Sequence, residues 1–216
     1  MYLLPPASMP PTPVVNPRIP FSLLEALRRI DTPESDVETE YVHELRNKRL
    51  GLSETVYQQI RRYGDAVKRG QLLPWSEAAG LGALIARRPD ADELFRSAGL
   101  IIARDIYSAI PMMKRRMMHI LPGFMARPIA FAELKRASTR FFGGAITRTD
   151  SFLNLTVPDA VVVSGGGGPL GCVYYETALR EILRLLIDAR TEVEHTRCTQ
   201  RGDSACEWRA EWSAHK

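Results

Sequence analysis

From Ile19 to Phe142 apolar side chains recur every three to four residues, and only beyond that point do they alternate. The first half therefore reads as helices. Residues from Ile19 to Leu50 make two short ones, broken at Thr32-Pro33. After Ser53, an N-cap type of residue, Val56, Ile60, Tyr63 and Val67 share one helical face, and Gly70 stops the segment. Trp75 to Arg87 follows, closed by Arg88-Pro89. Asp90 and Glu93 have capping-box spacing ahead of a broad stripe of Leu94, Ala98, Ile101, Ile102, Ile106 and Ile110. Pro111 opens a methionine-rich amphipathic stretch (Met112-Met113, Met117-Met118, His119) that ends at Leu121-Pro-Gly. Phe131 to Phe142 is the next helix, stopped by Gly143-Gly144.

Strand periodicity then takes over. Leu153, Leu155 and Val157 alternate with polar neighbours, and Val161 to Val163 is a short buried run. Gly165 to Gly168 predict a loop free of side-chain constraint. Glu176 to Ile187 predicts an amphipathic helix carrying Leu179, Ile182, Leu183 and Leu186. Thr191–Cys198 and Cys206–Trp212 flank Arg201-Gly202-Asp203 as a hairpin, with Cys206, Trp208, Ala210 and Trp212 on one face. Helices first and strands last, with one helix before the final hairpin, imply an α+β fold: an antiparallel sheet packed against helices. Three parts follow along the chain. Residues 1–18 hold six of the fifteen prolines and read as a flexible or extended tail; residues 19–89 form a helical extension and 90–212 the main domain.

Composition changes this picture little. The chain has 216 residues, 45% apolar and 25% charged, with a net charge of +4. Its densest basic cluster, Lys114-Arg115-Arg116, reads as a solvated helix face, so nucleic acid is not an expected partner. No stretch approaches the roughly 20 apolar residues of a membrane span. The first residues lack a basic start followed by an apolar core, so no signal peptide is expected. Three cysteines without an export signal point to a cytoplasmic protein with thiols, or thiolates holding a metal, rather than disulfides.

All three cysteines, Cys172, Cys198 and Cys206, lie in the last quarter of the chain. Cys198 and Cys206 approach across the hairpin, and Cys172 follows the glycine loop, where the chain can fold back. With His195 or water they would satisfy tetrahedral zinc. Against this stand the absence of a close Cys-x-x-Cys pair and strand parity, which sets His195 on the face opposite Cys198. The other reading is three small residues packed under a sheet. His119 is a candidate axial ligand for a haem or magnesium tetrapyrrole, or a packed side chain; Met113 and Met117 suit either a core or a pocket for a large apolar ligand. Tyr174 and Tyr175 precede the last long helix, and adjacent positions predict one turned inward and one outward. The inward ring, with Phe141, Phe142 and Trp208, can line an apolar pocket. Dinucleotide, P-loop, nucleophile-elbow and HExxH signatures are missing. An enzyme is not required by these residues.

The C-terminal pattern resembles the 4-vinyl reductase domain family. The resemblance rests on Cys172-Val-Tyr-Tyr175, an apolar helix, Val193-Glu-His-Thr-Arg-Cys198, Gly202-Asp203 and Cys206-Glu-Trp208. The family carries a cysteine before its last helix and a hairpin of the form Glu-x-x-Cys-x-x-x-Gly-Asp-x-x-Cys-x-Phe. Here His195 stands in the place of that glutamate and Trp208 in the place of the phenylalanine. Cys-x-Tyr-Tyr and Ala137 to Gly144 look most like the bacteriochlorophyll 4-vinyl reductase-type members. The resemblance covers about residues 90–212. It implies a fold shared with haem-NO-binding domains and Golgi-transport tethering subunits, with an apolar pocket for a hydrophobic small molecule, such as a tetrapyrrole intermediate, and cysteines suspected of metal binding. Three functions are then open: an accessory or carrier protein for that ligand, a vinyl reductase using an external reductant, or a structural module that forms a homodimer through its N-terminal helices.

Overall fold

The computed structural model describes residues 13–32, 50–149, 151–187 and 191–212. Ile19, Leu23, Leu24 and Leu27 fall on one side of helix α1 (Arg18–Asp31) and are buried. The second helix expected after Pro33, and most of the proline-rich tail, lie outside the described residues. Helix α2 (Glu54–Arg69) begins as its sequence predicts: the Val56 N–H donates to Ser53 Oγ at 3.3 Å, and Gly70, at φ 65°, ends it. α3 (Trp75–Ala86) and α4 (Ala91–Ser108) follow. The capping box before α4 does not form. The Asp90 carboxylate instead accepts from Arg88 at 2.8 and 2.7 Å, because a two-point charged contact outcompetes a backbone N–H. α5 (Met112–Ile120) ends at the expected corner. α6 (Gly123–Ala137) starts earlier than the Phe131 expected, carries Pro128 near its exposed end, and runs into a π turn, Ser138–Phe142, that buries both phenylalanines.

The main sheet is antiparallel, in the order β3-β4-β6-β5. These strands are Ala145–Thr149 (β3), Phe152–Val157 (β4), Val193–Arg197 (β5) and Cys206–Glu211 (β6). Leu153, Leu155, Val157, Cys206, Trp208 and Ala210 point into the core, as alternation predicts. β3 leaves no such mark, because Ile146 is its one buried residue. A second ladder pairs β1 (Val14–Val15) with β2 (Leu73–Pro74). The molecule is thus mixed α+β with antiparallel sheets against helices.

The last helix, α7 (Gly168–Ile187), begins well before Glu176, so Tyr174 and Tyr175 lie within it. Both are fully buried, not one inward and one outward. The reason is position: α7 is covered on two sides. The Tyr174 hydroxyl meets Ser22 Oγ of α1 at 3.1 Å, while the Tyr175 ring faces Phe142 and Trp208 at 5.6 and 5.0 Å. α4 crosses α7 closely at Gly99, where an added Cβ would stand 2.6 Å from the Tyr174 carbonyl oxygen.

Nor is the glycine run an open loop. Val163–Gly167 form a π turn lying against α3, and a Cβ on Gly165 would sit 2.5 Å from Ala79 Cβ and 2.7 Å from Ala79 O. The glycines bring two backbones together. One hydrophobic core runs from Val15 to Trp212 without a break at residue 90. Among the described residues, no helix is long and apolar enough to cross a membrane.

Candidate metal centre

Cys172, Tyr175, Leu179, Ile182 and Leu186 recur at helical spacing and are all buried, so α7 lays Cys172 over the sheet. Beneath it the hairpin supplies the other two cysteines. Cys206 opens β6 and faces inward with Trp208, two residues on. Cys198 directly follows β5 and is held by the turn after it. Its N–H donates to Asp203 Oδ2 at 2.8 Å, and its carbonyl accepts from Arg201 and Asp203.

Simple alternation sets His195 on the wrong face, and the structure corrects this. β5 pairs His195 with Trp208 but Arg197 with Glu207, so Thr196 is the extra residue of a β-bulge. Two residues against one reset the alternation. His195 and Cys198 therefore share the inward face. The Thr196 hydroxyl bonds the Glu207 carbonyl at 3.2 Å, which holds the bulge in place.

One ligand atom from each of Cys172, His195, Cys198 and Cys206 lies within 4.8 Å of the others. Cys172 Sγ and Cys198 Sγ are 3.7 Å apart. A tetrahedron with metal–sulfur bonds of about 2.3 Å has a sulfur–sulfur edge of about 3.8 Å. The spacing that distant positions in sequence could not settle is thus met in space. Nε2 of His195 is buried and has no hydrogen-bond partner, a cost that a coordinated cation would remove. The Thr199 N–H donates to Cys206 Sγ at 3.4 Å, with Thr199 Oγ1 at the same distance, the kind of outer contact that orients a thiolate.

The electrostatics without metal are those of a dry thiol cluster. Burial, then the neighbouring Cys198, pushes the Cys172 thiol far above its usual range. Burial, then the charge of Arg201, lowers His195, so the imidazole is held neutral and free to coordinate. A divalent cation would invert the thiol balance and favour thiolates. Four protein ligands would close the coordination shell of a bound ion, which is the pattern of a structural site rather than one with an open position for substrate.

The other expected residues are not gathered into one site. Phe142, Tyr175, Trp208 and His195 form a continuous run of rings, with centroids 5.6, 5.0 and 5.1 Å apart. His195 stacks on Trp208 at 19°. Phe141 and Phe142 also wall a half-open pocket of about 300 Å³ with Val15, Ile19, Trp75 and Val161. Half of that wall comes from residues before position 90, and of these only Ile19, on the apolar stripe of α1, carried a signal in the sequence; Val15 and Trp75 reach the wall through the chain's path. Met113, Met117 and His119 stand elsewhere, on exposed faces of α5, where His119 Nε2 bonds the Tyr107 hydroxyl at 3.0 Å. Of the paired methionines only Met118 is core. Among known proteins, no family model, curated protein or solved structure matches this chain.

Proposed function

We propose that this chain is a zinc-stapled module that binds an apolar small molecule, built on the plan of the 4-vinyl reductase domain. The observation that carries the reading is the run of rings from Phe142, in the pocket wall, through Tyr175 and Trp208 to His195, in the metal cluster. Three thiolates and one imidazole suit zinc better than the hard cations that prefer oxygen. The ion would pin α7 to the terminal hairpin, and so hold the aromatic wall rigid behind the ligand. At about 300 Å³ the pocket is at the small end of ligand sites. That volume favours a compound of one or two rings; a tetrapyrrole would require the wall to move.

Native mass spectrometry should find one zinc per chain. Tryptophan emission should be quenched saturably by naphthalene, with Trp75 beside the pocket and Trp208 behind it. Protoporphyrin is the parallel titrant, and saturable binding of protoporphyrin instead would point to the tetrapyrrole. Protein that contains no zinc and saturates with neither titrant would refute the proposal.

A further inference from the structure

Helix α5 and the first turn of α6 are built inside out. Met118 is the one buried residue of α5, whereas Met113, Ile120 and Phe124 are 76%, 78% and 78% exposed. Met112, Met117 and Met125 are also exposed. Monomeric proteins rarely leave so many large apolar side chains together in water. The same stretch has a strong charge bias. Between Asp105 and Glu133 there is no acidic residue, while Lys114, Arg115, Arg116 and Arg127 give it four positive charges. Glu133 compensates Lys114 at 2.7 Å, and Arg127 bonds the Trp212 carbonyl. Arg116 is exposed, and Nε of Arg115 is buried without a partner.

Two hollows lie side by side on this face. One, of about 410 Å³, is lined by Tyr107, Met112, Arg115, Arg116, His119 and Ile120, and the Arg115 guanidinium sits 5.1 Å from the Tyr107 ring centre. The other, of about 270 Å³, is lined by Met112, Met113, Met117, Ile120 and Leu121 with Arg116, and it shares Met112, Arg116 and Ile120 with the first. We infer that this face docks on the surface of a membrane containing anionic lipid. The cationic hollow takes a headgroup phosphate, and the methionine hollow with Ile120 and Phe124 enters the acyl boundary. Charge decides between occupants. A second copy packed face to face would bring Arg116 towards its own counterpart with no carboxylate in the stretch to separate them. An anionic bilayer matches both the sign of the charge and the apolar edge.

Flotation of the purified full chain with vesicles tests this. It should float with phosphatidylcholine vesicles containing about 30% phosphatidylserine, a content chosen to give an anionic surface, and not with phosphatidylcholine alone. Binding should weaken as salt is raised. Ile120→Ser and Phe124→Ser should each lower partitioning about ten-fold, since an apolar side chain leaves the lipid boundary. Arg116→Gln should lower it about five-fold. These positions are exposed, so circular dichroism of the variants should match the wild type. Three results overturn the inference: no flotation with anionic vesicles, flotation indifferent to the Ile120 and Phe124 variants, or a wild-type dimer that Phe124→Ser converts to monomer without any lipid binding. The last would assign the face to a second copy. Flotation lost to competition by an acidic amphipathic peptide, with no dependence on lipid charge, would assign it to a protein partner and overturn it equally.

Discussion

Replacing Gly165 with alanine should destabilise this protein, although the same change in an open loop stabilises. In a loop, alanine restricts the unfolded chain and adds about 0.4–1 kcal/mol. At Gly165 the new methyl would stand 2.5 Å from Ala79 Cβ and 2.7 Å from Ala79 O, where ordinary contact begins near 3.4 Å. Either the turn or α3 must retreat by about 1 Å, and overpacking of that kind costs about 1–3 kcal/mol. The net loss is about 1.3 kcal/mol, or about 3–5 °C in melting temperature for a chain of this size. Urea and thermal unfolding followed by circular dichroism measure it. Gly80→Ala is the control: it lies on the exposed side of α3 with nothing within 4 Å of an added Cβ, and should gain up to about 1 kcal/mol. Because the turn leads directly into α7, Gly165→Ala should also weaken zinc retention through Cys172. If Gly165→Ala proved as stable as wild type, or more so, the packed-turn reasoning would be wrong.

Three further outcomes are expected. His195→Ala should weaken zinc at least about ten-fold in competition with a chromogenic chelator, while His195→Cys should retain it as a four-thiolate site; equal loss in both would show that position 195 is not a ligand. Metal-free protein should be most stable between the two titrations. His195 has a lowered pKa in the fold, so stability falls as pH drops below its ordinary 6.5 and the unfolded chain takes the proton. Cys172 is raised, so stability falls as pH rises past its ordinary 9.0 and the unfolded chain loses the proton; a flat profile of urea midpoints from pH 5 to 10 would contradict both. Asp31→Ala should cost about 2 kcal/mol by urea unfolding, since it strands the Gly51 N–H and removes the Arg88 contacts at 2.8 and 3.1 Å; a change within error would show that Arg88 is satisfied by Asp90 alone.

By itself the sequence determined the helices with clear stripes and good caps, the inward faces of β4 and β6, and the class of the fold. Those are local matters, since periodicity and capping act within a turn or two of chain. Three decisions belonged to the tertiary structure. The bulge at Thr196 turned His195 towards Cys198, because register is set by the partner strand and not by the strand that bulges. Burial of both Tyr174 and Tyr175 followed from α7 being covered by helices on one side and sheet on the other, which no one-helix pattern encodes. The glycine run became a packed turn only because α3, some eighty residues earlier in the chain, lies against it. Four side chains able to hold a metal, scattered over thirty-five positions, thus became one cluster through long-range packing, while their identities were legible from the start.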